Sequence, residues 1–328
     1  MRVAISGFGR IGRVIFKIAL DRKINIVAIN DPHGAESARY LLEHDSIYGK
    51  YNKKINTKGN NLIVNNKKIL VLSERDPSKL PWKKLKVDLV IDSTGAFNEK
   101  KDLSKHISSG AKKVIVTAPS KNPDITIVPG VNDKMLKKSD KIISVASCTT
   151  NCLATVTKVL NDKFGVKNEL MTTIHAYTDS QNMLDSANKN VRRGRAGGLN
   201  LIPTTTGASV AVEAVLPSLK GKISGLAVRA PLAIVSLIDV VAELKKKAEL
   251  KKIKSAFKEA SKKKMKGILD YTEEELVSSD FIADPHSAIV DGKSIQIEGN
   301  LVKVLAWYDN EVGYSNRVVD VIKMLNWE

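Results

Sequence analysis

RVAISGFGRIG, residues 2–12, starts as a short apolar run and then breaks into three glycines at the spacing G-x-G-x-x-G. Val14, Ile15, Ile18 and Ala19 follow at helical spacing, so the order is strand, glycine turn, helix. Each glycine has a separate physical role. Gly7 permits the tight turn, Gly9 lets the backbone approach a pyrophosphate, and Gly12 lets helix and strand pack closely. A helix starting at such a turn presents unpaired N–H groups and the positive end of its dipole, both of which favour an anion. A second apolar run, residues 24–29, ends in Asn30-Asp31, nineteen residues beyond Gly12. A carboxylate there accepts hydrogen bonds from ribose hydroxyls and repels a 2′-phosphate. The glycine pattern alone is weak. With strand, helix, second strand and acid in order, it reads as a dinucleotide-binding unit.

The same rhythm continues outward. Strand-like runs at residues 87–92 and 113–117 each end in a small or polar turn, Ser93-Thr94-Gly95 and Ala118-Pro119-Ser120. Alternating strands and helices predict a parallel sheet with ligands at its carboxyl edge. A chain of 328 residues is long enough for two domains. No run approaches the ~18 uninterrupted apolar residues of a membrane helix, and no basic-then-apolar leader precedes the first strand. Two cysteines exclude a disulfide scaffold and point to a reducing, cytoplasmic setting. His33, His44 and His106 lack partners at metal-ligand spacing, so they read as surface or packing residues and no metal site is expected.

The net charge of +18 raises the question of a nucleic-acid partner. The excess is 42 Lys against 11 Arg, spread along the chain. Arginine dominates bidentate phosphate contacts, whereas lysine is the ordinary solvated surface charge. Lys245 to Lys247 and Lys262 to Lys264 accordingly read as exposed helix faces. No dedicated nucleic-acid partner is expected, although the field attracts anionic substrates generally.

The second half holds the candidate chemistry. A strand-like run at residues 141–146 leads into Ser147-Cys148-Thr149-Thr150-Asn151-Cys152 and then a helix with Leu153, Val156, Val159, Leu160 and Phe164 on one face. Cys148 thus falls in a first helical turn, where the dipole lowers a thiol pKa and N–H groups hold an anion. A small buried cysteine at a helix start is also common, and Cys152 fits that description better. The next strand ends at His175. A lone histidine on a strand is usually structural. This one follows the helix that Cys148 begins, so the fold can pair them as nucleophile and base, a thiolate beside an imidazolium.

Five segments now stand in order: GFGRIGR at residues 7–13, ASCTTNCL at 146–153, HAYT at 175–178, IPTTTGA at 202–208 and WYDNEVGYSN at 307–316. Together they resemble the signature segments of the glyceraldehyde-3-phosphate dehydrogenases, over essentially the full chain. The resemblance implies an α/β protein. Its dinucleotide domain, residues 1–147, is a Rossmann-type parallel sheet completed by a C-terminal helix at 311–328. Its α+β catalytic domain, residues 148–310, has a mainly antiparallel sheet. It further implies that Cys148 attacks an aldehyde with His175 as base, that hydride passes to a nicotinamide, and that inorganic phosphate cleaves the resulting thioester. Thr178 and Arg229 would take the substrate phosphate. Ser147, Thr149, Arg193, Thr206 and Gly207 would take the attacking one. Arg10, Ile11, Asp31, Arg75, Thr117 and Asn310 would surround the dinucleotide together with Gly7, Gly9 and Gly12. A homotetramer is implied, with the 176–200 loop between subunits.

Three departures bear on these expectations. Thr155 stands where the family usually has proline, a mild change on a helix. Residues 230–234, Ala-Pro-Leu-Ala-Ile, lack two polar groups usual after the arginine, which bears on substrate choice. Asp185-Ser186-Ala187 replaces a Leu-Pro pair typical of strict NAD users, which argues for tolerance of NADP. Asp31 argues for NAD, and like-charge repulsion is the harsher penalty. The expected cofactor is NAD, with NADP admitted. The other readings are a related dehydrogenase of the erythrose-4-phosphate type and a basic nucleic-acid-binding protein on the same scaffold.

Overall fold

A computed structural model describes residues 1–325 of the chain. They form two compact units. One comprises Met1–Ile127, Lys134–Ala146 and the chain from Ser315. The other comprises Val128–Asp133 and Ser147–Tyr314.

The first unit is built on nine strands: β1 (Arg2–Ser6), β2 (Asn25–Asn30), β3 (Ile55–Lys58), β4 (Asn61–Val64), β5 (Lys67–Leu72), β6 (Leu89–Asp92), β7 (Lys113–Val116), β8 (Ile125–Thr126) and β9 (Ile142–Ser144). Their order across the sheet is β3-β4-β5-β2-β1-β6-β7-β9-β8. Pairing is parallel except at the β3-β4-β5 edge. Helices α1 (Arg10–Asp21), α2 (Gly34–Glu43) and α3 (Lys100–Ser108) connect the strands. Helix α1 buries Val14, Ile15 and Ala19 of the expected stripe, while Ile18 is half-buried. Register decides what the carboxyl edge presents. Ser6 pairs with Asn30 on one side and Asp92 on the other, and Asp92 pairs with Val116. The next residues along each strand are Gly7, Asp31, Ser93 and Thr117, which therefore stand in a row. From β1 the order runs to β2 on one side and β6 on the other, so the glycine turn lies at the switch point where such sheets bind ligands.

The β3-β4-β5 meander has no counterpart in the sequence reading. Its turn residues Asn65 and Asn66 both have positive φ, 46° and 67°, as a two-residue hairpin of the primed type requires. Strands as short and as rich in Lys and Asn as INTK and NLIV carry little apolar alternation. The other edges shift by a residue or two: the expected strand at 24–29 is Asn25–Asn30, and that at 87–92 is Leu89–Asp92.

The second unit holds α4 (Cys148–Phe164), β10 (Val166–Ala176), β11 (Ile202–Thr205), α5 (Ala208–Val215), β12 (Ile223–Ala230), β13 (Ser236–Leu244), α6 (Leu250–Lys262), β14 (Leu269–Thr272), β15 (Ala288–Asp291), β16 (Gln296–Glu298) and β17 (Leu301–Tyr308). The strand order is β11-β12-β10-β13-β17-β15-β14, with β16 on β17. Pairing is antiparallel except between β10 and β12 and between β14 and β15. The expected combination of a Rossmann-type sheet with a mainly antiparallel one is what the chain forms. Helix α4 is buried along most of its length and packs on β10, β13, β15 and β17. It ends at Gly165, φ 69°, which reverses the chain directly into β10. That strand begins at Val166, earlier than its apolar run suggested, because no loop intervenes.

The C-terminal helix α7 (Val312–Met324) forms within the segment that the resemblance implied, and it buries Val318, Val319, Val321 and Ile322. Residues 326–328 of the expected segment lie outside the described residues. Arg22 of α1 holds α7 through Asp320 and Asn316. Two surface expectations are corrected. Lys245 to Lys247 are exposed in the turn after β13, not on a helix, and of the second cluster only Lys262 is helical. Eleven of the 42 lysines fall within residues 245–266, so the positive charge is more concentrated than an even spread. Among the described residues, no helix is long and apolar enough to cross a membrane and no cluster of ligating side chains could hold a metal ion.

Candidate active site

At the carboxyl edge of the first sheet, Gly7 has φ 89°, and a Cβ there would meet Ser93 and Thr94 backbone atoms at 2.6 Å. A Cβ on Gly12 would stand 2.1 Å from the Gly7 carbonyl oxygen, so helix and turn touch only because both are glycine. Around Gly9 a Cβ would meet nothing within 4 Å. Gly9 is also the N-cap of α1, and no side chain caps that helix. An open cradle above uncapped N–H groups fits a dinucleotide pyrophosphate. Asp31 reaches the same turn: its Oδ2 accepts from the Phe8 N–H at 2.9 Å, and its Oδ1 accepts from the His33 N–H at 3.0 Å. Thr117 N–H donates to the Asp92 carbonyl at 2.9 Å. Arg10 turns its guanidinium to Asp45, Ile11 is half-buried in the first turn of α1, and Arg75 is exposed after β5. Gly7, Asp31 and Thr117 thus share one edge of one sheet.

In the second unit, the α4–β10 hairpin returns the end of the strand to the start of the helix. Cys148 Sγ lies 3.4 Å from His175 Nε2. Ser147 caps α4 by accepting the Thr150 N–H at 3.1 Å. The other imidazole nitrogen, Nδ1, is 2.7 Å from the Ala176 carbonyl oxygen; with its proton on Nδ1 the ring turns the Nε2 lone pair to the thiol. Arg229, directly opposite His175 on β12, places Nη1 3.0 Å from Nδ1 and donates to Ala176 O at 3.0 Å. Its Nη1 also lies 3.4 Å from Thr178 Oγ1, and its buried Nε has no partner among the described residues.

Electrostatics bear on the expected thiolate–imidazolium pair. Burial pushes the Cys148 thiol up, opposed by the Arg229 guanidinium and by hydrogen bonding at Thr149. Burial, and then the charge of Arg229, push His175 down to about 3. Burial thus opposes the charged form of each group, against the pull of the helix dipole toward a thiolate. Cys152 is fully buried and its thiol is pushed well up, as suits a packing residue.

Thr178 joins the Cys148–His175–Arg229 cluster. Arg193 bonds Thr204 Oγ1 at 3.0 Å and the Thr205 carbonyl at 3.4 Å, and its charge is felt at His175. Thr206 accepts the Ala208 N–H at 3.2 Å, and Gly207 precedes α5 with open space where a side chain would stand. Thr149 is different: its hydroxyl is buried against Tyr308 at 2.9 Å. Asn310 accepts from Ser236 Oγ at 3.1 Å, and the same hydroxyl accepts the Ala176 N–H, which ties Asn310 to the histidine strand.

Two residues escaped the sequence reading. The Tyr308 hydroxyl bridges Thr149 on α4 and Thr173 on β10, 2.9 Å from each, and its ring meets the His175 ring edge-on with centroids 6.0 Å apart. Its place inside WYDNEVGYSN was the available signal. Ser236 gave none. Backbone strain flanks the site as well. Ala146 and the β-branched Val235, immediately before Ser147 and Ser236, hold φ of 53° and 66°.

Comparison with known proteins agrees with this geometry. Residues 1–100 match the family model described as glyceraldehyde 3-phosphate dehydrogenase, NAD binding domain. Residues 147–310 match its C-terminal domain. The chain is 52% identical over 326 residues to glyceraldehyde-3-phosphate dehydrogenase 2 of Bacillus subtilis, covering 98% of this chain and 96% of that one. It is 50% identical over 324 residues to the Geobacillus stearothermophilus enzyme, covering 98% and 97%. The Borreliella burgdorferi enzyme is 48% identical over 333 residues, covering 99% of each. With both halves matched and half the residues identical end to end, the chain belongs to the glyceraldehyde 3-phosphate dehydrogenase family.

Proposed function

We propose that this protein oxidises glyceraldehyde 3-phosphate with NAD and inorganic phosphate to 1,3-bisphosphoglycerate, reversibly, in glycolysis and gluconeogenesis. The observation that carries the proposal is the 3.4 Å approach of Cys148 Sγ to His175 Nε2 beside Arg229. Sγ bonds to the aldehyde carbon while the thiol proton moves to Nε2 and on to the carbonyl oxygen, giving a hemithioacetal. Nε2 then takes the hydroxyl proton as the carbon is oxidised to a thioester. Bound NAD supplies the hydride acceptor. Phosphate adds to the thioester carbon, the C–S bond breaks, and the imidazolium returns its proton to Sγ. Throughout, the Nδ1–H···O bond to Ala176 keeps the ring oriented, as a general base requires.

Thr178 and Arg229 are assigned to the substrate phosphate, because a planar guanidinium suits phosphate oxygens. The attacking phosphate is assigned to Arg193, Thr206, Gly207, Ser147 and the backbone of Thr149. Gly7, Gly9, Arg10, Ile11, Gly12, Asp31, Arg75, Thr117 and Asn310 are assigned to the dinucleotide. The corresponding functional division is a dinucleotide module of residues 1–147 completed by 311–328, and a catalytic module of 148–310. Asp31 favours NAD, and Asp185-Ser186-Ala187 leaves room for NADP. A cytoplasmic homotetramer completes the proposal, supported by Leu184, Val191 and Leu199, which are 78–83% exposed in the 176–200 loop.

The test is NADH formation with aldehyde, with and without phosphate. Turnover must require both; turnover that ignores phosphate and arsenate sinks the mechanism. The altered 230–234 segment, where Leu232 is 41% exposed and its carbonyl receives the Tyr177 N–H, makes a second substrate worth assaying. A kcat/KM higher on erythrose 4-phosphate than on glyceraldehyde 3-phosphate would reassign it.

A further inference from the structure

Behind the dinucleotide edge runs a buried chain of hydrogen bonds to which the chemistry above assigns no role. Trp82, His106 and Asp92 are each no more than 1% exposed. Trp82 Nε1 lies 3.0 Å from His106 Nδ1, and His106 Nε2 lies 3.0 Å from Asp92 Oδ2. The close approach is built in. Gly110, just past α3, has φ 114°, and a Cβ there would meet Lys83 atoms at 2.5 Å, so the end of α3 lies directly on the tryptophan segment.

The direction of this chain is set by chemistry. An indole N–H can only donate, so His106 Nδ1 must accept. The imidazole proton is therefore on Nε2 and is donated to Asp92. Asp92 in turn organises the edge. Its Oδ1 accepts from Thr94 Oγ1 at 2.7 Å and from Thr94 N at 3.1 Å, and its carbonyl accepts from Thr117 N at 2.9 Å. The adjoining Ser93 donates its hydroxyl to the Gly7 carbonyl at 2.6 Å and its N–H to the Ser6 carbonyl at 2.7 Å. Gly7 itself has no room between its Cα and the Ser93–Thr94 peptide. Ser93 and Thr94, at the end of this path, lie directly against the glycine turn, and Thr94 and Gly95 are exposed there.

We infer that His106 is a positioning residue for the dinucleotide site, acting through Asp92 on the Ser93–Thr94–Gly95 turn and on Thr117. The inference rests on the proposed use of NAD. His106 touches no ligand. Its contribution is the polarity of the hydrogen bonds: a donor toward Asp92 and an acceptor toward Trp82, which a carboxamide can imitate and a hydrocarbon cannot.

The experiment measures NAD dissociation constants by fluorescence quenching on the full-length protein, beside melting curves and the rate of Cys148 alkylation without NAD. His106→Leu is expected to weaken NAD about tenfold or more, because it leaves a buried donor and a buried carboxylate oxygen unpaired. His106→Gln, which keeps one donor and one acceptor, should recover most of that loss, with alkylation of Cys148 unchanged in both. A folded His106→Leu protein that binds NAD normally overturns the inference, as does a Gln variant no better than Leu. Should the Leu variant not fold, selective 15N labelling of histidine in the unaltered protein keeps the test open. A protonated Nε2 and bare Nδ1 at His106 are expected, and the opposite tautomer overturns the relay. Unaltered protein that binds no NAD while showing that tautomer would count against the proposed function, not against the relay.

Discussion

Arg229 Nη1 lies 3.0 Å from His175 Nδ1, and this guanidinium acts in opposite directions on the two reacting groups. It opposes the burial that raises the Cys148 thiol, and it adds to the burial that depresses His175. The same group therefore disfavours the imidazolium. Replacing Arg229 by Met is expected to lower kcat/KM for the phosphorylated aldehyde about 10- to 100-fold, the worth of one or two charge-assisted hydrogen bonds. Because Arg229 lowers the thiol pKa, its loss moves the pH profile of Cys148 alkylation toward higher pH. A profile that stays in place would remove Arg229 from the electrostatics of the pair.

The Cys148–His175 pair makes a sharper prediction. Cys148→Ser should lose at least about a thousandfold in turnover, since no sulfur remains to carry the thioester. His175→Asn should lose about 10²- to 10⁴-fold, the usual contribution of a positioned acid–base group. Stopped-flow detection of the first NADH formed separates the two, because the histidine variant can still acylate slowly. An active serine variant would overturn the covalent route.

The three glycines of the turn should respond differently. Gly9→Ala has space for its methyl and an ordinary φ of −68°, so stability should change by less than about 0.5 kcal/mol. Its methyl would stand in the cradle, so NAD binding should fall about tenfold or more. Gly12→Ala, 2.1 Å from the Gly7 oxygen, should instead cost about 1–3 kcal/mol of folding stability. Melting curves and NAD titration on the same samples check both halves; a destabilised Gly9→Ala protein would contradict the open cradle.

Glu169 offers a test remote from the chemistry. It lies on β10, buried, with Oε1 accepting from Thr157 Oγ1 at 2.7 Å and Oε2 without a partner among the described residues. Burial raises its pKa from 4.5 to about 7. The native state then holds a proton that the unfolded chain releases, so stability falls as pH rises between those values and is flat outside them. At about 1.4 kcal/mol per pH unit, that window from 4.5 to about 7 is worth on the order of 3 kcal/mol. Glu169→Gln should flatten this part of the pH–stability curve in denaturant titrations between pH 5 and pH 8. An unchanged slope would show that the carboxyl is ionised throughout.

Much of this architecture could be read before folding. RVAISGFGRIG and the acid at Asp31 state a parallel sheet with a ligand at its edge, because a glycine turn between strand and helix has few other physical uses. ASCTTNCL and the strand ending at His175 state a nucleophile and a base. Within the β3–β5 meander the turn at Asn65-Asn66 could not be read, since it lacks glycine, although Gly59-Asn60 at the other turn was a hairpin signal. Nor could Ser236 or the hydroxyl partners of Tyr308, which join residues 60 to 159 positions apart.

What the sequence by itself determined is the chemical repertoire and the local punctuation: which groups are present, where helices and strands begin, and which glycines must remain bare. Only the tertiary structure decided the working state of those groups. Whether Cys148 rests as thiol or thiolate depends on burial and on a guanidinium 81 residues away in the chain. Whether His106 is a spare surface histidine or a link behind the nucleotide edge depends on Trp82 meeting it in the core. The physical reason is the same in each case. Local pattern sets backbone conformation, whereas desolvation and hydrogen-bond polarity belong to neighbours that only folding brings together.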